Sequence, residues 1–148
     1  MKLIRVQYPG KPIADKIGDR LYKLTKPYFV ELVTDEGLLI CDMLTGWITD
    51  YRSGCSVIDP IIPWKGCDEY NAVVLAHDFL YSGWTSKKFA DDILCQGMKL
   101  SGEIGSIRAN LVHFTLDKFG AAHYYDLNMP LPSPYEANRH YEKFKWLA

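Results

Sequence analysis

Residues 70–81 read Tyr-Asn-Ala-Val-Val-Leu-Ala-His-Asp-Phe-Leu-Tyr, and this segment is the most informative one for the fold. On a helix its apolar residues point in every direction, which is typical of a helix that is buried on all sides. Two polar side chains, His77 and Asp78, interrupt the apolar surface about 100° apart. Because an unpaired buried carboxylate is very unfavourable, we expect a cation or several hydrogen-bond donors near Asp78.

The second half of the sequence predicts helices around this segment. Ser86, or Thr85 beside it, is a suitable N-cap, and Gly120 is a suitable stop. The predicted helices cover residues 68–84, 86–100 and 104–119. The first two form an antiparallel pair that carries the polar side chains.

A further helix is predicted over residues 133–147. Ser133-Pro134-Tyr135-Glu136 combines a capping box with proline at the first helical position. We expect this helix to pack through Tyr141, Phe144 and Trp146 or to dock on another subunit.

The first half of the sequence, residues 1–50, predicts strands. The segment 28–33 is rich in β-forming residues, a turn follows, and the segments 38–41 and 46–49 are further strand candidates. Residues 50–67 form a long irregular loop, and long loops in compact domains are often functional. The sequence therefore predicts a single α+β domain over 1–148, in which a β-rich portion packs on a helical half.

Composition excludes several classes of protein. The chain has 148 residues, which fits one domain, and its net charge of -1 argues against general nucleic-acid binding. Its four cysteines form no Cys-x-x-Cys pair, so no zinc cluster is expected, and a chain of this size does not require a disulfide framework. We also expect no signal peptide and no membrane span, because the longest aliphatic run, residues 72–76, is far too short.

His77 and Tyr81 are four residues apart and therefore share one face of the predicted helix. A carboxylate from the next helix can meet both, and that helix offers Asp91 and Asp92, which flank its apolar face on opposite sides. Helical periodicity does not choose between the two. With Asp91 as acceptor, the other imidazole nitrogen is free to take a proton from water, as a general base does.

Asp78 faces the loop 50–67 in this arrangement, where backbone carbonyls could complete a site for a hard cation such as calcium. A metal there would polarise a substrate carbonyl. Two non-catalytic interpretations stay open. In one, His77 is a buried histidine with satisfied hydrogen bonds and Asp78 caps the preceding loop; in the other, the pair of His77 and Asp91 only ties two helices together.

The motif residues resemble those of a small bacteriophage and prophage family catalogued as domain of unknown function 1353. The likeness rests on Asp50-x-x-Ser53, on the run from Ala76 to Tyr81, on Ala90-Asp91 and on Met98. It covers roughly residues 45–101 with its motifs. Where the family usually has proline two positions after the serine, this chain has Cys55.

His-Asp-x-x-Tyr followed by Ala-Asp is also similar to the phospholipase A2 group. That resemblance implies that His77 is the general base, that Asp78 is a calcium ligand, and that Tyr81 and Asp91 orient the histidine. The glycine-rich calcium loop of the group has no clear match, and Gly54 and Gly66 are the nearest candidates for it.

The expected function is a phage-encoded hydrolase that cleaves ester bonds of lipids at a membrane. One alternative is a virion tail or baseplate component without turnover, which would contact other virion proteins through its aromatic C-terminal part. Another is a cell-wall peptidase in which Cys67 is the nucleophile and His113 or His123 the base. If the chain is phage-encoded, it acts in the virion or in the cytoplasm of the infected host.

Overall fold

A computed structural model of the protein describes residues 1–51 and 66–148. The strands are β1 (Leu3–Gln7), β2 (Ala14–Gly18), β3 (Leu21–Leu24), β4 (Tyr28–Thr34), β5 (Leu38–Met43), β6 (Ile48–Thr49) and β7 (Glu142–Leu147). The helices are α1 (Asp68–Leu80), α2 (Lys87–Ser101) and α3 (Ser106–Phe119), with short 3-10 helices at Gly120–His123 and Asn138–Tyr141. The predicted α+β class is confirmed.

Two antiparallel sheets account for the strands. The larger has the order β1-β4-β5-β7, and the smaller has the order β2-β3-β6. Alternate residues of β4 and β5 are buried, as the two-residue period of a half-buried strand requires. The buried face of the larger sheet packs against α1, which also packs against α2, so that nearly the whole length of α1 is buried.

The three helices begin and end close to the predicted positions. The Ser86 side chain accepts a hydrogen bond from the Phe89 amide at 3.2 Å and so caps α2. Helix α1 ends at Leu80 rather than at Trp84 because Gly83 adopts a φ of +102° and the backbone of Leu127 passes directly over it. A β-carbon at Gly83 would lie 2.5 Å from the Leu127 nitrogen, so this turn needs glycine.

Helices α1 and α2 approach closely because α2 carries a glycine at the contact. A β-carbon at Gly97 would lie 2.6 Å from the Val73 Cγ1 atom, well inside van der Waals contact. Glycine therefore allows the two helix backbones to come near enough for short side chains to bridge them.

The helix predicted over residues 133–147 is wrong. After the 3-10 helix at Asn138–Tyr141 the chain forms β7, which pairs with β5 from Met43↔Glu142 to Leu38↔Leu147. The sequence Glu-Lys-Phe-Lys-Trp-Leu alternates, so that Glu142 and Phe144 face inward while the two lysines between and after them are exposed. Pairing with β5 and burial of this face outweigh the local helix signals of the capping box.

No helix in the described parts of the chain combines the length and the apolar character needed to cross a bilayer.

Candidate active site

Asp91 is the centre of a buried hydrogen-bond network. Its Oδ1 atom lies 2.9 Å from His77 Nε2 and also accepts from the Tyr81 hydroxyl, while its Oδ2 atom accepts from Lys87 Nζ at 2.7 Å. His77 and Asp91 have no solvent-exposed surface. The Asp91 carboxylate thus has three donors: His77 of α1, Tyr81 directly after α1, and Lys87 of α2.

The structure brings Asp91 rather than Asp92 to the histidine. Asp92 accepts from the Gln96 side-chain amide at 3.0 Å on another face of α2. Lys87 was not anticipated from the sequence, although it stands four residues before Asp91, a spacing that favours ion pairs on a helix. Its ammonium group also donates to the Leu116 carbonyl at 2.8 Å and so attaches α3 to the network.

The network fixes the protonation of both central groups. Burial opposes ionisation of Asp91, but the hydrogen bonds from His77, Lys87 and Tyr81 outweigh it and hold the pKa of Asp91 below its ordinary value. Burial lowers the pKa of His77 in spite of the attraction of Asp91. A neutral imidazole therefore faces an ionised carboxylate, and His77 Nε2 carries the proton because a carboxylate can only accept.

The second ring nitrogen of His77, Nδ1, is buried and has no hydrogen-bond partner among residues 1–51 and 66–148. In the tautomer set by Asp91 this nitrogen carries the lone pair. An unprotonated nitrogen held in a fixed orientation by a carboxylate is the arrangement that a general base requires.

Asp78 points away from this contact, about 100° further around the axis of α1. Its Oδ2 atom accepts from the Thr49 hydroxyl at 3.2 Å, and Asp50 is the next residue of the chain after Thr49. Burial raises the pKa of Asp78 well above its ordinary value, and the negative charges of Asp50 and Glu142 add to this effect. The surroundings of Asp78 therefore favour its neutral, protonated form.

Asp50 and Asp78 line a cavity of about 150 Å³. Aromatic rings contribute much of the remaining wall, namely Trp47, Tyr81, Tyr125 and Tyr135. His77 is not part of the described wall, but its neighbours Asp78 and Tyr81 are. The cavity thus adjoins the His77–Asp91 network through the end of α1 and the residue that follows it.

Of the residues expected to hold calcium, the structure describes Asp78 and Gly66. Gly66 is not brought to Asp78, since its backbone N–H and carbonyl both bond to the Asn71 side chain at the start of α1. Ten residues of helix separate this end from Asp78, which amounts to about 15 Å. Gly54 and most of the loop 50–67 lie outside the described residues.

Calcium takes about six to eight oxygen ligands. Within residues 1–51 and 66–148 no group of three or more histidine, cysteine or acidic side chains is arranged to hold a metal ion.

Another buried carboxylate, Glu142, was not anticipated as part of the site. It accepts from the indole nitrogens of Trp47 at 2.7 Å and Trp84 at 2.9 Å, and from the Ser82 hydroxyl at 3.1 Å. Burial raises the pKa of Glu142 despite these donors. These contacts attach β7 to the turn after α1 and to the wall of the cavity. Because the partners are far apart in the sequence, no local sequence pattern predicts these contacts.

The cysteine proposed for a peptidase is not brought to a histidine. The Cys67 thiol is exposed just before α1 and lies 3.9 Å from the Ser101 carbonyl oxygen. His123 lines the cavity at the opposite end of α1. Within the described ranges, neither His123 nor His113 of α3 forms a hydrogen bond with this thiol.

No family model matches the chain, and neither does any curated protein or solved structure.

Proposed function

We propose that the protein is a phage-encoded hydrolase of the phospholipase A2 type that cleaves ester bonds of phospholipids, with His77 as general base. The observation that carries the proposal is the contact of His77 Nε2 with Asp91, which leaves Nδ1 unprotonated and without a described partner. The resemblance of His77-Asp78-x-x-Tyr81 and Asp91 to that group supports it independently of the geometry.

In the proposed reaction, Nδ1 takes a proton from a water molecule and the resulting hydroxide attacks the ester carbonyl carbon. The tetrahedral intermediate then collapses, the bond between the carbonyl carbon and the alkoxy oxygen breaks, and the proton passes from Nδ1 to the leaving alcohol. Asp91 stabilises the imidazolium that exists between these steps. Because the imidazole is 0% exposed, the reaction requires a movement that admits water to Nδ1.

Release of fatty acid from phospholipid vesicles tests the proposal directly. We expect turnover by the wild type and a loss of about 10²–10⁴-fold in kcat for His77→Gln, the range associated with removal of a general base. The matched control is His140→Gln, which makes the same change at an exposed histidine outside the network. Parallel reactions with calcium and with a chelator test the ion that the resemblance implies.

Absence of release by the wild type in both ionic conditions would overturn the hydrolase proposal, as would equal activity of wild type and His77→Gln.

A non-catalytic virion protein is the second proposal, and one observation favours it. Both His77 and Asp91 are fully buried, and the network joins α1, α2 and, through Lys87 and Leu116, α3. A network with that role stabilises a scaffold without needing a substrate. Detection of the chain as a stoichiometric component of purified virions, combined with no lipid turnover, would support this function over hydrolysis.

A further inference from the structure

Strand β7 lies at the edge of the larger sheet. The strand order β1-β4-β5-β7 gives it one neighbour, and within residues 1–51 and 66–148 the backbone of residues 143–147 pairs with β5 alone. An edge strand presents alternate N–H and carbonyl groups to its open side, where an extended segment of another chain can pair with them. The edge of β7 is therefore a template for one further strand.

One face of β7 is basic. Lys143 and Lys145 are two residues apart, so both point to the same face of the sheet, and both are exposed. Lys143 stands opposite Asp42 of β5, whereas the residue opposite Lys145 is Ile40. Side chains that stand opposite each other on paired strands attract when their charges are opposite and repel when they are alike. A strand added beyond β7 is therefore favoured when it places acidic residues opposite the two lysines.

The other face of β7 borders a groove of about 320 Å³ whose wall is mainly apolar. Phe144 and Trp146 of β7 line this groove together with Trp84 and Phe89 from the start of the α2 region. The Trp84 and Phe144 rings stack with their centroids 6.1 Å apart, and the Trp84 indole nitrogen donates to the buried Glu142 at 2.9 Å. These contacts fix the aromatic rings in place. Side chains of an added strand that face Phe144 and Trp146 therefore meet a preformed apolar surface.

A second copy of this chain is a poor occupant of the edge. If two β7 strands paired antiparallel around a two-fold axis, Lys143 and Lys145 of both copies would lie on the same face of the joined sheet. Like charges on neighbouring strands repel, and lysines on edge strands oppose pairing of identical edges. The basic face thus disfavours self-association and favours a partner of opposite charge.

We propose that the edge of β7 binds an extended acidic peptide segment of another protein by strand addition, with acidic residues opposite Lys143 and Lys145 and apolar residues over the aromatic groove. In this mode of recognition main-chain hydrogen bonds supply affinity and side chains supply specificity. Acidic and apolar residues of the partner alternate along the six positions that β7 offers. Binding there does not depend on hydrolase activity, since the groove and the cavity at Asp78 share no lining residue in the described chain.

The probe is a capped, fluorescently labelled peptide, Thr-Glu-Val-Glu-Phe-Glu-Leu-Thr, and its binding to the full chain is measured by fluorescence anisotropy. One control peptide, Thr-Glu-Glu-Glu-Val-Phe-Leu-Thr, has the same composition but groups the acidic residues. The other, Thr-Lys-Val-Lys-Phe-Lys-Leu-Thr, reverses the charge. We expect the alternating acidic peptide to bind at least ~10-fold more tightly than either control, since it alone matches both faces of β7.

Charge exchange locates the binding. In the double variant Lys143→Glu with Lys145→Glu the preference should reverse, so that the lysine peptide binds more tightly than the acidic one. The matched control is Lys16→Glu with Lys23→Glu, which makes the same change of net charge at exposed positions of β2 and β3 and should bind the acidic peptide like the wild type. If the double variant of β7 fails to fold, Trp146→Ala tests the groove. Because Trp146 is 41% exposed, this change is tolerated by the fold and should weaken binding at least ~5-fold.

Hydrogen exchange measured by nuclear magnetic resonance shows where the peptide binds. Exchange of β7 amides should slow when the acidic peptide is added, because strand addition engages them in hydrogen bonds. Slowing confined to other elements would overturn the proposal. So would no binding of the acidic peptide, equal affinity for the grouped peptide, or an unchanged preference in the double variant of β7.

Two other occupants are tested with the same variants. Sedimentation with phosphatidylglycerol vesicles tests an anionic membrane. Vesicle binding that the double variant of β7 abolishes and the acidic peptide does not displace would overturn the proposal by assigning the lysines to lipid. Analytical ultracentrifugation tests a second copy, and a dimer that the same variant dissociates would overturn it by assigning the edge to the chain itself.

Discussion

His77 Nε2 and Asp91 Oδ1 lie 2.9 Å apart, and both side chains are withdrawn completely from solvent. Hydrogen bonds from its three donors lower the pKa of Asp91 and burial lowers the pKa of His77, so this contact favours a charged carboxylate beside an uncharged imidazole. Its strength therefore depends on Lys87 and Tyr81, which also donate to the Asp91 carboxylate.

Asp91→Asn should destabilise the protein by about 3 kcal/mol or more, because an amide cannot compensate the Lys87 ammonium group and leaves buried donors poorly satisfied. Urea unfolding followed by circular dichroism measures the change. The matched control is Asp92→Asn, which removes the charge from a carboxylate bonded to Gln96 and should cost less than about 1 kcal/mol. Equal losses in the two variants would contradict the central role of Asp91.

Lys87→Met should raise the pKa of His77. The charge of Lys87 disfavours protonation of the imidazole, so its removal lets Asp91 attract the proton more strongly. Nuclear magnetic resonance of ¹⁵N-labelled histidine, titrated with pH, measures the effect. Lys88→Met makes the same change at the neighbouring exposed lysine and should leave the pKa of His77 where it is in the wild type. A fall of this pKa in Lys87→Met would refute the electrostatic account.

Acid should weaken the wild-type fold through His77. Below about pH 6.5 the His77 imidazole of the unfolded chain is protonated, whereas the native imidazole stays neutral because burial lowers its pKa. The free energy of unfolding therefore falls with pH in this region, by up to about 1.4 kcal/mol per pH unit. Urea unfolding between about pH 7 and pH 5 should show this slope in the wild type and in His140→Gln, and a smaller slope in His77→Gln. Identical slopes in all three proteins would contradict the prediction.

Gly97→Ala should cost about 1–3 kcal/mol of stability, because the new methyl group overlaps the Val73 side chain and forces α1 and α2 apart. In the double variant Gly97→Ala with Val73→Ala the overlap is absent, so the loss of stability should be smaller than the sum of the two single losses. A double-mutant cycle from thermal unfolding measures this difference. As a control, Gly105→Ala places its β-carbon where nothing lies within 4 Å and should cost much less. An additive cycle would show that the close approach of the helices is not the cause.

The helices and the face that joins His77 to Tyr81 could be predicted from sequence because helical periodicity is a local property. The choice of Asp91 over Asp92 could not, since it depends on how α2 is rotated against α1. Lys87 was within reach of the same local reasoning, because its spacing from Asp91 is a helical one.

The cavity was beyond prediction, since Asp78 meets Thr49 and Asp50 only when β6 is placed beside the end of α1. The C-terminal segment was predicted as a helix and forms a strand for a related reason. Its capping box and proline are local helix signals, whereas the free edge of β5 that β7 occupies is a property of the assembled sheet. Alternation of Glu142, Phe144 and Trp146 with lysines was the one local sign of a strand.

The bond from the Trp47 indole to Glu142 spans 95 positions of the chain. Trp47 emerges early from the ribosome and forms part of the cavity wall, but its carboxylate partner is synthesised only with β7. During translation the Trp47 indole therefore lacks this acceptor until α1, α2 and α3 have been synthesised. The cavity wall at Trp47 is thus completed only after β7 has been synthesised.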